Sequence, residues 1–298
     1  LIAQGHDVRI GDLRDSAAFP ERRSLADVRD GASLSAFVQH SGADTIINLA
    51  AAHRDDFRPV SLYYDTNVTG ARVTCETASA LGIKRIIFTS SVAVYGRQGG
   101  EPDEGAPHHP INPYGETKSQ AEDVFRAWHA EDPDQRTLVI VRPTVVFGPS
   151  NRGNVHALMD QIARRRFFMV GNGQNRKSMA YVGNISGFIA HTLSLGAGAH
   201  VFNYIDKPDF TTAELVDLIF ERTGKGRAPA FRLPKPIGLL AGGVFDLLAH
   251  ASGRTFPISR IRVEKFCAQT VFNADKVKAS GYIAPTSLRD ALIKTIDA

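Results

Sequence analysis

Through the first half of the chain, short continuous apolar runs alternate with longer stretches of helical period. Val8 to Ile10, Thr45 to Leu49, Arg85 to Thr89 and Leu138 to Arg142 are unbroken rather than alternating, the pattern of strands buried on both faces of a parallel sheet. Between them, Ala32 to Ser41, Leu62 to Leu81 and Tyr114 to Ala130 carry apolar positions at helical spacing, and Gly42, Gly82 and Pro133 punctuate their ends. Strand and helix in repetition predict a doubly wound α/β sheet, whose ligands bind beyond the carboxyl ends of the strands.

After Pro149 the pattern loosens. Val155 to Arg166 reads as a helix ending in the basic run Arg164, Arg165 and Arg166, and FFMVGNGQNRKSMAYV as two short strands around a glycine loop. A helix over Ile185 to Leu195 and a strand over His200 to Ile205 follow, then a helix opened by Thr211 and Glu214 at capping-box spacing. Leu233 to Gly253 forms a Pro-bounded apolar helix, and Leu288 to Ile296 a terminal one. These elements predict a first domain over 1–148 with a return segment near 183–205, and a smaller α+β domain over 149–182 and 206–298.

A chain of 298 residues, 43% hydrophobic and 22% charged, excludes disorder, collagen and a small disulfide scaffold. Cys75 and Cys267 stand far apart without a CxxC partner, so neither a disulfide framework nor a metal site is expected, and the usage reads as cytoplasmic. No apolar run reaches the roughly 18 residues of a bilayer span, and the longest, Ile237 to His250, is interrupted by Asp246. The net charge of +4 hides an asymmetry: residues 1–150 carry 15 Lys+Arg against 20 Asp+Glu, residues 151–298 carry 20 against 11. A basic second half suits an anionic ligand, whereas the lack of basic runs interleaved with aromatics argues against nucleic acid.

Candidate chemistry concentrates at Tyr114 and Lys118, which the i, i+4 spacing places on one helix face. A lysine charge beside a tyrosine favours the phenolate and is expected to lower its pKa, suiting Tyr114 to general acid/base work on a sugar or alcohol hydroxyl. Ser91, at the end of the strand Arg85 to Thr89, is placed to hydrogen-bond the same oxygen.

With IGDLRD (Ile10 to Asp15), ADVRD (Ala26 to Asp30), INLAAAH (Ile47 to His53), YYDTNVTG (Tyr63 to Gly70), TSSVAVYG (Thr89 to Gly96), NPYGETK (Asn112 to Lys118) and RPTVVFGP (Arg142 to Pro149), the chain resembles the extended short-chain dehydrogenase/reductases. Within them it is similar to the NAD-dependent nucleotide-sugar epimerase/dehydratase branch, typified by UDP-glucose 4-epimerase. The resemblance implies a Rossmann domain and a smaller substrate domain. It implies Ser91, Tyr114 and Lys118 as the catalytic trio, with Tyr114 and Lys118 also touching the cofactor. Asp12 would hydrogen-bond the adenine ribose and so favour NAD; Arg14 keeps NADP as the alternative. Asp27 and Val28 would lie along the adenine, with a capping aspartate and a core valine as the plain structural alternative. Leu49, Ala50 and Ala51 would let the dinucleotide approach, and Asn67 would support the active-site backbone. Asn154, Arg176 and Lys177 would contact the diphosphate of the substrate, Lys177 standing where the family usually has an arginine. A homodimer through the helices of Leu62 to Leu81 and Tyr114 to Ala130 is also implied.

The sequence departs from the family in two places. LIAQGHDVRIGDLRD opens as the end of a helix running into a strand, and the family's first strand and glycine-rich turn are not seen; by family proportions about 20 to 25 residues, the first βα unit, are expected ahead of Leu1. The chain as written is therefore expected to bind NAD weakly and to expose a strand edge. The helix Leu233 to Arg254 and the PISRIRVEKF run look like the 4-keto-sugar-reductase and hydroxysteroid-dehydrogenase branches, and Val145 stands where many sugar epimerases carry asparagine. That helix either caps the substrate domain or rests on a membrane surface beside a lipophilic substrate. The leading expectation is a nucleotide-sugar epimerase working through a transient 4-keto sugar. A 4-keto-sugar reductase, a 3β-hydroxysteroid-type dehydrogenase and a noncatalytic dinucleotide-binding protein are the alternatives.

Overall fold

A computed structural model describes residues 1–53, 57–151, 153–164, 167–224, 226, 232–252 and 259–298. In chain order its elements are β1 (Ile10–Asp12), β2 (Arg23–Leu25), α1 (Gly31–Ser41), β3 (Thr45–Asn48), α2 (Ser61–Tyr63), α3 (Gly70–Ala80), β4 (Arg85–Thr89), α4 (Pro113–Ala130) and β5 (Thr137–Pro143). Then come β6 (Val145–Phe147), α5 (Asn154–Ala163), β7 (Met169–Val170), β8 (Arg176–Tyr181), α6 (Val182–Thr192), β9 (Gly198–Tyr204), β10 (Asp206–Thr211) and α7 (Thr212–Arg222). The chain closes with β11 (Arg232–Leu233), α8 (Lys235–Ser252), α9 (Arg260–Cys267), α10 (Asp275–Ala279) and α11 (Leu288–Ile296).

The chain divides into two compact units, Leu1–Thr144 with Ile185–Tyr204 and Asn273–Ile283, and Val145–Asn184 with Ile205–Phe272 and Ala284–Ala298. The sequence-based partition put all of 206–298 in the second unit. The structure returns Asn273–Ile283 to the first, where the Asn273 N–H donates to Pro102 O at 3.1 Å and Tyr282 packs on Phe188, ring centroids 5.3 Å apart.

In the first unit, β3, β4, β5 and β9 form an all-parallel sheet in that order. Its central strands are buried on both faces, as their unbroken apolar runs require: Ile86, Ile87, Leu138, Val139, Ile140 and Val141 are fully buried. Ile86, Phe88, Leu138 and Ile140 meet α3 and α4 through Ala71, Val73, Ala78, Ala121, Phe125 and Trp128. Each large apolar side chain so buried contributes about 1.5–3 kcal/mol. β1 and β2 form a separate parallel pair, and among the described residues no strand joins β1 to β3. The first strand lies two residues later than the apolar run Val8 to Ile10, because its ladder partner is β2, whose Arg-Ser-Leu sequence has no strand signal. The segment read as one helix over Leu62 to Leu81 is α2, a π-helical turn over Tyr64–Thr69, and α3. Such turns recur at functional sites because the extra residue re-aims a side chain; here the turn carries Asn67.

In the second unit, β8 lies between antiparallel β10 and parallel β6, and β7 pairs with β11. β6 and β10, neither of them anticipated, are short or interrupted by Pro208. The core of this unit joins Val216, Ile219 and Phe220 of α7 to Leu288 and Leu292 of α11. α7 starts with the expected capping box: the Glu214 N–H donates to Thr211 Oγ at 3.1 Å, and the Thr211 N–H to Glu214 Oε2 at 2.7 Å. α5 ends at Ala163, short of the predicted Arg166; Arg165 and Arg166, like Arg254, lie outside the described residues.

Candidate active site

The carboxyl end of β4 and the start of α4 bring the predicted trio together. β4 stops at Thr89, where the Ser90 N–H donates to Val141 O at 2.7 Å. Ser91 then caps a short 3-10 turn, its Oγ accepting from the Ala93 N–H at 3.1 Å. α4 begins at Pro113 because Asn112 accepts from the Gly115 N–H at 2.9 Å and proline is preset for the first helical position. Gly115 allows the two segments to touch: a Cβ there would lie 2.5 Å from Ala93 O. Tyr114 is thereby brought near enough to the Ser91 hydroxyl for that hydroxyl to favour the phenolate.

The protonation balance differs from the sequence expectation. Burial raises the Tyr114 phenol above its ordinary value, and the Ser91 hydroxyl opposes this only in part. The lysine charge expected to favour the phenolate is spent elsewhere. The Lys118 side chain is fully buried, donates to Thr89 O at 2.7 Å, and holds its ammonium 4.5 Å from the centroid of the Phe88 ring. Desolvation pushes the Lys118 amine down to about 7, against the opposing pull of the Glu122 carboxylate one turn along α4. Lys118 is thus poised to change charge near neutrality while Tyr114 is held protonated.

Asn67 locks this shelf from the π-helical turn. Its Oδ1 accepts from the Ala52 N–H at 2.9 Å, and its Nδ2 donates to Ala52 O at 3.1 Å and to Thr117 Oγ1 at 2.9 Å. Thr117 in turn donates to Pro113 O at 2.8 Å, so one buried asparagine ties the end of β3 to the first turn of α4. Thr117, within NPYGETK, was not singled out from sequence.

A second network that sequence reasoning missed lies beneath Lys118. Glu122 is fully buried and accepts from Ser90 Oγ at 2.5 Å, Arg142 Nε at 2.8 Å, Arg142 Nη2 at 2.6 Å and Arg126 Nη2 at 2.7 Å. Burial alone would raise the Glu122 carboxyl, but the Arg142 bonds prevail and hold it below the usual carboxylate range. Arg142 continues to Tyr95 Oη at 2.5 Å, and Tyr95 donates to Asn203 Oδ1 at 2.7 Å. The available signal was positional: Glu122 falls one and two turns after Lys118 and Tyr114 on the same helix, and Arg142 opens RPTVVFGP.

The residues expected at the cofactor fall into two groups. Asp12 is exposed at the end of β1, one oxygen accepting from the Arg14 N–H at 2.8 Å. Leu49 is exposed beyond β3, followed by the small side chains of Ala50 and Ala51, and the Ala50 N–H donates to Asn48 Oδ1 at 3.1 Å. Asp27 is engaged otherwise: the Arg29 guanidinium donates to both its oxygens at 2.6–3.0 Å and holds the carboxyl below its ordinary value. Val28 packs on the first core, and the cap of α1 is Asp30 rather than Asp27.

In the second unit, Asn154 is the first residue of α5, but its side chain lies outside the described part. Arg176 is exposed on β8. Lys177 donates to Lys265 O at 3.0 Å and Ala268 O at 2.5 Å, and burial pushes its amine down to about 8. A cavity of about 560 Å³ nearby is lined by Asn172, Asn175, Arg232, Lys235 and Cys267 among others. Among the described residues, no cluster of His, Cys, Asp or Glu is arranged to hold a metal ion.

Residues 1–203 match the sequence pattern of the NAD dependent epimerase/dehydratase family. The N-acetyl-alpha-D-glucosaminyl-diphospho-ditrans,octacis-undecaprenol 4-epimerase of Escherichia coli O157:H7 is 48% identical over 286 residues, 96% of this chain and 86% of that protein. Among solved structures, MoeE5 in complex with UDP-glucose and NAD superposes with a TM-score of 0.77 at 22% identity, over 100% of this chain and 91% of that one. The UDP-glucose 4-epimerase of Thermotoga maritima with UDP-glucose gives 0.76 at 20% identity, over 100% and 92%. At that identity the two structures speak to the fold, an α/β Rossmann-like one; the sequence matches carry the assignment further. On them, and on the ordered motifs gathered around Tyr114, the chain belongs to the NAD-dependent epimerase/dehydratase family of enzymes.

Proposed function

We propose that this protein is an NAD-dependent 4-epimerase of a sugar carried on a diphosphate, with Tyr114 as its acid/base. The observation that carries the reading is the shelf of half-buried Ser91 and Tyr114 over fully buried Lys118, fixed by Asn67 and Thr117. The exposed carboxylate of Asp12 fits an adenine ribose, and the small side chains of Ala50 and Ala51 fit close approach of a dinucleotide beyond β3. Asp27 would have to release Arg29 to contribute. When bound, NAD supplies a reversible hydride acceptor.

Tyr114 first gives up its own proton to solvent; as the phenolate it takes the proton of the sugar 4-hydroxyl, and as the phenol it returns that proton to the oxygen of the transient 4-ketone after the sugar presents its opposite face. Ser91 holds the reacting oxygen through its own hydroxyl. Lys118, charged, stabilises Tyr114 as the phenolate forms, for which its ammonium has to share or leave Thr89 O. Arg176 and the Arg232 and Lys235 side chains of the cavity supply cations for the diphosphate, with Asn154 at the α5 start as a further candidate and Lys177 a lesser one, because two carbonyls already hold it.

Nucleotide and polyprenol carriers share the diphosphate. The 48% identical relative, whose name specifies an undecaprenol-linked sugar, favours the polyprenol carrier. We further take the setting as cytosolic, from two free thiols, and the assembly as a homodimer through α3 and α4. Incubation with NAD and either an undecaprenyl-diphosphate or a UDP N-acetylhexosamine, followed by NMR of the sugar and by NADH absorbance, tests the reading. An epimer formed without net NADH supports it. Net reduction or oxidation of the cofactor would mean a dehydrogenase or reductase, and an unchanged sugar with either carrier would reject it.

A further inference from the structure

α8 is folded inside out. In a surface helix of a globular protein the large apolar side chains face the core and the small or polar ones face water. Here, among the described residues of the helix, Gly238 and Gly242 are the buried positions. A Cβ at Gly238 would lie 2.6 Å from Val170 Cγ1, and one at Gly242 would lie 2.6 Å from the Arg260 nitrogen. The helix therefore seats its glycines against β7 and the start of α9, and the Arg260 N–H anchors it by donating to Asp246 Oδ2 at 3.0 Å.

Ile237, Leu240, Val244, Leu247 and Leu248 all point outward, with Leu240 72% and Leu247 70% exposed. At about 100° per residue these five fall within an arc of roughly 100° on the side away from the glycines. Leaving so many large apolar groups in water is unfavourable by about 1.5–3 kcal/mol each relative to full burial. A contiguous exposed apolar stripe marks an interaction surface.

The charges around the stripe choose its occupant. β11, α8 and α9 carry Arg232, Lys235, Arg260, Arg262 and Lys265 against Asp246 and Glu264. A second copy docked by the same face would set this positive excess against itself, since a twofold interface pairs each patch with its own copy. An anionic lipid surface complements it and takes the apolar side chains as well, the combination by which interfacial helices bind. Among the described residues no helix is long and apolar enough to cross a membrane, so α8 would lie along the surface rather than span it.

We infer that α8 is a membrane-docking helix that lies in the interface of an anionic bilayer, its Ile237–Leu248 stripe among the acyl chains and the basic residues of α9 at the headgroups. The consequence for catalysis rests on the polyprenol-carrier reading above: the second unit, which bears the candidate diphosphate cations, sits at the membrane, and the lipid of the substrate need not leave it.

Co-sedimentation with vesicles of phosphatidylethanolamine and phosphatidylglycerol tests the inference, with phosphatidylcholine vesicles as the neutral control. The wild-type protein is expected to pellet with the anionic vesicles. The Leu240→Glu/Leu247→Glu variant, checked for an unchanged melting temperature, is expected to lose at least about tenfold in partitioning. Its turnover of a water-soluble short-prenyl diphosphosugar stays at the wild-type rate, while turnover of the undecaprenyl substrate in vesicles falls. Equal pelleting of wild type and variant, or no pelleting of either, would overturn docking; so would sedimentation velocity showing a dimer that the variant dissociates while vesicles are ignored. Epimerisation without vesicle binding removes the docking inference alone, and vesicle binding without epimerisation of any sugar removes the functional reading alone.

Discussion

The shelf at the end of β4 and the outer face of α8 invert the usual placement of residues in opposite senses. The first buries a lysine, a glutamate and an arginine completely, and supplies each with partners: Lys118 with Thr89 O, Glu122 with Ser90, Arg126 and Arg142. The second leaves leucine, valine and isoleucine exposed and spends its buried face on glycine. The buried Lys118 ammonium and the exposed apolar stripe both cost folding free energy, and neither is explained by stability of the isolated fold. Charge kept in a dry site serves proton transfer, and apolar surface kept in water serves an apolar partner. A residue on the wrong side of the boundary is thus the common sign of function in both units, and substitutions there should separate function from stability.

The largest effect is expected at Glu122. Glu122→Ala leaves the Arg142 guanidinium buried without its carboxylate, and urea unfolding should show a loss of about 3–5 kcal/mol. Lys118→Met tests the shelf in the other direction. Turnover should fall on the order of 100-fold, while the fold gains stability. Unfolded, Lys118 holds its proton up to near 10.5; folded, it releases it near 7. Between those values the unfolded chain binds more protons, so this group makes wild-type stability rise as pH climbs from about 7 to 10.5 and is most destabilising below pH 7. The methionine variant should lack that rise and melt higher than wild type below pH 7; a lower melting temperature there would show that the buried ammonium is a net stabiliser.

Thr211→Ala removes the cap of α7 within the conventional part of the second unit and should cost about 1 kcal/mol without altering the KM for either carrier. The smallest effect is expected at Leu240: Leu240→Glu should change stability by no more than about 0.5 kcal/mol. A loss of 2 kcal/mol or more at Leu240 would mean that the stripe packs on this chain after all, and the contrast between the two regions would collapse.

Legibility from sequence followed the same division. The central strands were readable because burial on both faces leaves an unbroken apolar run, as in Arg85 to Thr89 and Leu138 to Arg142. β2 and β10 were not, because their side chains are mostly exposed or polar and leave no unbroken apolar run. Tyr114, Lys118 and Ser91 could be paired from spacing, and Asn67 from its motif. What spacing does not encode is the direction in which a side chain turns. Lys118 turns to Thr89 O instead of bearing on the phenol, so the sign of the Tyr114 shift came out opposite to the expectation. Asp27, read as a ligand to adenine, is closed by an arginine two residues away. The apolar character of α8 was visible, but its orientation emerged only from the contacts of Gly238 and Gly242.

The central claim is that Tyr114 moves the proton of the sugar 4-hydroxyl. The most direct measurement is the epimerisation rate of Tyr114→Phe on the diphosphate-linked sugar, followed by NMR, with NAD binding and melting temperature checked alongside. The account predicts a loss on the order of 100-fold or more with both checks unchanged. Epimerisation near the wild-type rate by the phenylalanine variant would contradict it.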